Sequence, residues 1–333
     1  MIDRLSSSLG VFPVAAGSRW LSPLAVILAA GLCAETAGAA GFFEGRVVDA
    51  HGAPVSGAMV TFAAGRPERA TTVFTDAAGH YRTPSLAVEG RYRDRVRRVG
   101  WKDLAHRAEQ APPSGQGREV DFVLERETDP RAVAEQLPSN RWYGLLLERI
   151  DDPAMREELV RQCTFCHQQG SWATRVIRTS EEWQKVLSLM ARMGAGLSPE
   201  LRRQVPTLFS AAYDPQTAIA RLTAHMNDPD FAPPPPPVVR RAVIDEWVVG
   251  HAASMQHDLM VHPNGRIYSV DMLQDALYEL DPETGRRRSF RVPRGDLPLG
   301  GVFASANAPV PPNTNAHVGP HSIQAAPDGS IWI

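Results

Sequence analysis

The chain has 333 residues, 43% of them apolar and 22% charged, the balance of folded globular protein and a length that calls for more than one domain. A formal net charge of −2 gives no case for a nucleic-acid partner. Three cysteines are too few for an exported chain stapled by disulfides.

Residues 1–40 read as a signal peptide. Arg4 and Arg19 supply positive charge, Leu21 to Ala34 is an apolar run broken by Ser22, Pro23 and Gly31, and Ala37-Gly38-Ala39 offers a cleavage site before Ala40. The run is short for a membrane span. The other reading is an uncleaved N-terminal anchor, the one case in which the chain meets a membrane. Leu32 directly before Cys33 stands where a lipoprotein signal wants a small residue, so lipidation is not expected. Removal of the leader places the rest in the periplasm or outside the cell, with Cys163 and Cys166 as its cysteines.

Residues 41–126 read as a β-sandwich of short strands and tight turns. Phe43 to Asp49 is a strand, Asp49 to Gly52 a turn, and Pro54 to Phe62 a second strand with alternating apolar positions. Thr72 to Thr75, a turn over Asp76 to Gly79, a strand from His80 and a closing strand over Val120 to Leu124 follow. Gly45, Val47, Asp49, Gly52, Pro54, Val55, Gly57, Ala58 and Val60, followed by Thr75, Asp76, Gly79 and Tyr81, resemble the carboxypeptidase regulatory-like domain. That resemblance implies a transthyretin-like sandwich, a spacer without peptidase activity or a module that docks on polysaccharide. Arg91, Arg93, Arg95, Arg97 and Arg98 form a basic run whose alternation reads as a solvated strand face.

Residues 127–230 turn helical. Pro138 to Arg141 divides a short helix from a longer pattern; Asp152-Pro153 starts a helix that runs through Met155, Leu159 and Val160 into a cysteine motif. Thr179 or Ser180 caps the next, with Trp183, Val186, Leu187 and Met190 on one face until Gly194 and Gly196 end it. Ser198-Pro199 and Asp214-Pro215 open two more, the last reaching His225.

Cys163-Thr164-Phe165-Cys166-His167 is the attachment signature of a c-type haem. Two thiols one helical turn apart match the two vinyl groups of a porphyrin, and the adjacent imidazole faces the iron. A redox dithiol and half of a zinc site compete for the same residues. Export favours haem, which is attached outside the cytoplasm. The stretch Trp183 to Met190 resembles a helix of small cytochrome c domains, including those of the quinohaemoprotein amine dehydrogenase type. The resemblance implies Met190 as sixth iron ligand. Met193 is the alternative, His225 and Met226 are weaker candidates, and by the residues alone Met190 also reads as core.

Residues 231–243 read as an extended Pro-rich linker, with five consecutive prolines from Pro233 to Pro237. Residues 244–333 return to strands: His257 to His262, Arg266 to Val270, Ala276 to Leu280 and Arg287 to Val292. The stretch from His257 to Tyr268 is repeated from His321 to Trp332, an offset of 64 residues lengthened by a loop over 299–320. This resembles virginiamycin B lyase-like and NHL-type β-propellers, of which about two blades are present. In that family histidines near blade starts line a central channel, so among His257, His262, His317 and His321 the equivalent blade positions of His257 and His321 make those two candidate channel residues; the plainer reading is histidines bonded to backbone.

The fold class expected is thus multidomain α+β: a sandwich, a small all-α cytochrome c domain and a partial propeller. The function expected is electron transfer by one covalent haem c, with a redox protein or the quinone pool as partner. The alternatives are a propeller-borne lyase or oxidoreductase with accessory haem, or a glycan-binding module.

Overall fold

A computed structural model describes residues 40–65, 68–301 and 316–333, with only the backbone described at 106 and 107. The expected signal peptide and most of the 299–320 loop lie outside the described residues.

Eight strands come first: β1 (Phe42–Asp49), β2 (Met59–Ala64), β3 (Arg69–Phe74), β4 (His80–Arg82), β5 (Arg91–Arg97), β6 (Leu104–Gln110), β7 (Gly117–Glu119) and β8 (Phe122–Leu124). They form two sheets. In one, β1 pairs antiparallel with β4 on one side and parallel with β7 and then β8 on the other. In the second the order is β6-β5-β2-β3. Phe43 and Val47 of β1, Tyr81 of β4 and Phe122 of β8 bury against Val60 and Phe62 of β2 and Val96 of β5. The Phe43 and Phe62 rings stack across the gap with centroids 4.2 Å apart. The Tyr81 hydroxyl donates to Val120 O at 2.7 Å, tying the last strand segment to the core.

In β5 the arginine run alternates as expected: Arg91, Arg93 and Arg95 are exposed while Tyr92, Asp94 and Val96 are buried. Arg93 pairs with Glu68, and Arg95 with Asp103 at 2.5 Å. The second strand differs from its expected start at Pro54. Gly57 takes φ +72°, which breaks the extended run, and β2 begins at Met59. The strands β6 and β7 carry too few apolar residues to announce themselves in the sequence.

Six helices follow: α1 (Pro130–Gln136), α2 (Ser139–Leu147), α3 (Pro153–Thr164), α4 (Ser180–Arg192), α5 (Pro199–Ala212) and α6 (Pro215–Thr223). Their starts are set by local chemistry. Asp152, Ser198 and Asp214 cap α3, α5 and α6 with proline next in line, and Thr179 forms a reciprocal capping box with Glu182 at α4. Trp142, Leu146, Leu159, Trp183, Leu201 and Phe209 make one core, with Trp183 and Phe209 edge to face at 4.6 Å. The short helix α7 (Pro237–Arg240) then ends the proline run.

Residues from 244 were expected to begin the propeller. Ile244–Trp247 is instead β9, which extends the second sandwich sheet by pairing antiparallel with β3. Arg69 binds Asp245 at 3.0 Å, Thr71 Oγ1 donates to Asp245 at 2.6 Å, and the Arg69 guanidinium lies 5.1 Å from the Trp247 ring. Pairing partners so distant in sequence leave no local signal. Replacement of Asp245 by Ala should cost about 1–2 kcal/mol, read as a lower urea midpoint; an unchanged midpoint would show that β9 is held by backbone alone.

Beyond β9 lies an antiparallel meander, β10 (Gln256–Val261), β11 (Ile267–Asp271), β12 (Ala276–Leu280) and β13 (Arg287–Arg291), paired in chain order. A two-stranded sheet, β14 (Gln324–Ala325) with β15 (Ile331–Trp332), closes the described chain. The architecture is mixed α and β, with several sheets and no closed barrel among the described residues.

Candidate functional site around the cysteine pair

Helix α3 carries Cys163 in its last turn, and Cys166 and His167 follow just past its end. Both thiols are free; Cys163 is half-buried against the helical core and Cys166 is exposed. Burial, reinforced by the charge of Glu158, pushes the Cys163 thiol up to about 11. The position at a helix C-terminus works in the same direction, because the carbonyl end of the helix dipole opposes a thiolate. A reactive dithiol needs the opposite arrangement, with its nucleophile exposed and facing a helix N-terminus. In the unloaded chain, alkylation at pH 8 should therefore modify Cys166 at least about tenfold faster than Cys163, with Cys163 gaining only as pH approaches 11. Equal rates, followed by mass spectrometry, would contradict that burial.

Among the described residues no group of three or more His, Cys, Asp or Glu side chains is placed to hold a metal ion. The zinc reading of the cysteine pair thus finds no second pair of ligands there.

Two residues the sequence reading passed over shape the turn after the motif. Gln169 is buried, and its Nε2 donates to Cys163 O at 2.7 Å, satisfying a carbonyl at the helix end. Gly170 takes φ +77° and lies against the start of α2; a Cβ there would collide with Ser139 O and sit 2.7 Å from Tyr143 N. The signal for Gly170 was its place directly after a motif that ends a helix, where a left-handed residue is often required. Nothing comparable marks Gln169.

His167 is exposed, with Nδ1 3.3 Å from Gln168 O and 3.3 Å from Gln169 Nε2. Donation from Nδ1 to the Gln168 carbonyl is the tautomer that leaves the Nε2 lone pair free for a metal.

The stretch that carries the motif leaves large apolar side chains exposed among polar ones. Within 127–230, the large apolar side chains that stay exposed among the described residues are Val160, Phe165, Trp172, Val176, Ile177 and Met193. All lie in the stretch 160–193, and Phe165 and Trp172 are 87% and 80% exposed. Soluble domains seldom leave so much apolar surface in one segment unless it meets something. A porphyrin is a large apolar disc, so the residues present fit that group.

Met190 is half-buried in the last turn of α4, outside the cluster that Trp183 and Leu187 join, and Met193 caps the same helix at 40% exposure. His225 is exposed and 3.3 Å from Asp228, while Met226 lines a different cleft beside Arg98 and Trp101.

Of the C-terminal histidines, the rings of His257, His262 and His317 approach backbone carbonyls, while His321 Nδ1 lies 3.4 Å from Ser322 Oγ. His257 and His321 come together, ring centroids 3.5 Å apart, with His257 Nδ1 2.9 Å from His321 O. Burial and the neighbouring His257 lower the affinity of His321 for a proton. His262 Nε2 lies 3.3 Å from Gly329 O, and His317 Nδ1 2.7 Å from Leu297 O.

Residues 43–125 match the sequence model of the carboxypeptidase regulatory-like domain, and the N-terminal sandwich is that domain. No curated protein matches the chain. Among solved structures, a protein from Bacteroides uniformis described as carbohydrate-binding is 15% identical over 27% of this chain and 43% of its own, with a TM-score of 0.23. Catechol 1,2-dioxygenase from Pseudomonas arvilla is 16% identical over 31% and 57%, with a TM-score of 0.24. Chlorocatechol 1,2-dioxygenase from Pseudomonas putida is 16% identical over 26% and 59%, with a TM-score of 0.21. The chain thus spans less than two thirds of each, and likenesses at these scores carry no argument about function.

Proposed function

We propose that this is an exported c-type cytochrome module carrying one covalent haem and working in electron transfer. Cys163 and Cys166 would hold the haem as thioethers, His167 would ligate its iron, and Met190, or Met193 one turn on, would supply the sixth ligand. The haem would supply one-electron redox chemistry at iron; Met/His ligation suits an electron carrier by raising the potential. The observation that carries the reading is the confinement of every exposed large apolar side chain of the described helical segment to the stretch that holds the motif. The burial of Cys163 at a helix C-terminus supports it further by disfavouring a redox dithiol. A redox protein or the quinone pool would be the partner, and the leader would direct the chain to the periplasm or beyond.

The meander β10 to β13 is read as one propeller blade and β14 with β15 as the start of another, so that the haem segment would sit between a sandwich and a propeller. The deciding experiment is a pyridine haemochrome spectrum on the exported, purified protein. A thioether-type α-band is expected. Colourless material with two titratable thiols would end the proposal. Substitution of Met190 by Ala should remove the weak iron–sulfur absorption; an unchanged spectrum would point to Met193 or to an open site.

A further inference from the structure

The proline-rich segment is docked rather than free, and a cleft of about 470 Å³ opens beside it. Met59 of β2, Phe74 of β3, Leu137 before α2 and Phe231 line it with apolar surface. Two arginines from different parts of the fold line it, Arg98 also lining the neighbouring cleft beside Trp101. Arg98, just past β5, donates to Ser56 O at 3.0 Å and to Ala232 O at 2.5 Å. Arg141, on α2, donates to the preceding carbonyl, Phe231 O, at 3.3 Å. The two cations therefore converge on neighbouring carbonyls of one strand of chain. Neither forms an ion pair with any carboxylate among the described residues, and most of their five N–H donors each remain uncommitted. Burial lowers the proton affinity of Arg98, with nearby Arg126 adding to the effect. Asp230, the one carboxylate lining the cleft among the described residues, is exposed and pairs with neither arginine.

We infer that this cleft binds an organic carboxylate with an apolar body, its carboxylate bridging Arg98 and Arg141 and its body lying against Met59, Phe74, Leu137 and Phe231. The volume is that of a small-molecule site, and the lining has the usual plan of a mostly apolar wall with a few convergent polar groups. A carboxylate is the group that matches two convergent planar donors and neutralises a half-buried cation lacking a counter-ion. The inference does not depend on the haem.

The test is calorimetric titration of the full chain with cinnamate and with decanoate, against cinnamamide as the neutral control. Saturable binding of one of the carboxylates is expected, with the amide at least about tenfold weaker, a difference of about 1.4 kcal/mol. Arg141→Gln removes an exposed donor and its long bond to Phe231 O, and should weaken the carboxylate about tenfold with at most a small fall in melting temperature. Arg98→Gln should do the same at some cost in stability, since Arg98 also staples Ser56 to Ala232. Equal binding of acid and amide, an affinity unmoved by Arg141→Gln, or no saturation by either acid up to about 10 mM would each overturn the inference.

Discussion

Replacement of both Cys163 and Cys166 by Ala should abolish covalent haem completely, read as loss of haem-dependent peroxidase staining on a denaturing gel of exported protein. Each single variant should retain one thioether and shift the α-band, because one unreacted vinyl stays conjugated with the ring. The two positions should differ in what else they cost. Cys166 is exposed and its loss should leave the fold intact. Cys163 packs against the helical core, so its truncation should also cost about 1 kcal/mol. His167→Ala should leave both thioethers possible but change the iron's spectrum, since only the imidazole is removed. Staining of the double variant equal to wild type would show that the stained group is held elsewhere, and the electron-transfer reading would fall with it.

What could be read from the sequence divides by range. Helix starts were legible because Asp152-Pro153, Ser198-Pro199 and Asp214-Pro215 act within three residues of themselves. The meander was legible because Pro263-Asn264-Gly265 and Asp281 to Gly285 punctuate alternating runs. The arginine run was legible as a strand face because period two requires only its neighbours. The pairing of β9 with β3 was not, because Arg69 meets Asp245 only after the sandwich and helices have brought them together. The contacts of the proline run were hidden for the same reason. Five prolines fix an extended backbone, but whether it floats or docks depends on Arg98 and Arg141, which belong to other segments. At the candidate site the motif announces itself, since its chemistry demands a fixed spacing. The residues that hold its turn, Gln169 and Gly170, do not.

The second large effect is expected at Gly170, and it separates local strain from crowding. Two glycines flank the site with positive φ: Gly170 at +77° and Gly194 at +105°. A side chain at either must adopt backbone angles that L-residues avoid, at about 1–2 kcal/mol. Around Gly194 nothing lies within 4 Å of a new Cβ, so Gly194→Ala should cost only that. Around Gly170 the obstacles are backbone atoms, Ser139 O and Tyr143 N, and a helix start cannot swing aside as a flexible side chain would. Gly170→Ala should therefore cost about 3–5 kcal/mol, since the turn must lift off α2 and take Gln169 and its bond to Cys163 O with it. Urea unfolding followed by Trp142 and Trp183 fluorescence reads both values, because these indoles sit in the affected core. The consequence for the site follows from the geometry. A turn lifted from α2 no longer fixes Cys166 and His167 relative to Cys163, so haem incorporation into Gly170→Ala should fall with its stability while Gly194→Ala incorporates normally. Equal stabilities for the two variants would mean that the turn does not press on α2 and that the motif is held by α3 alone.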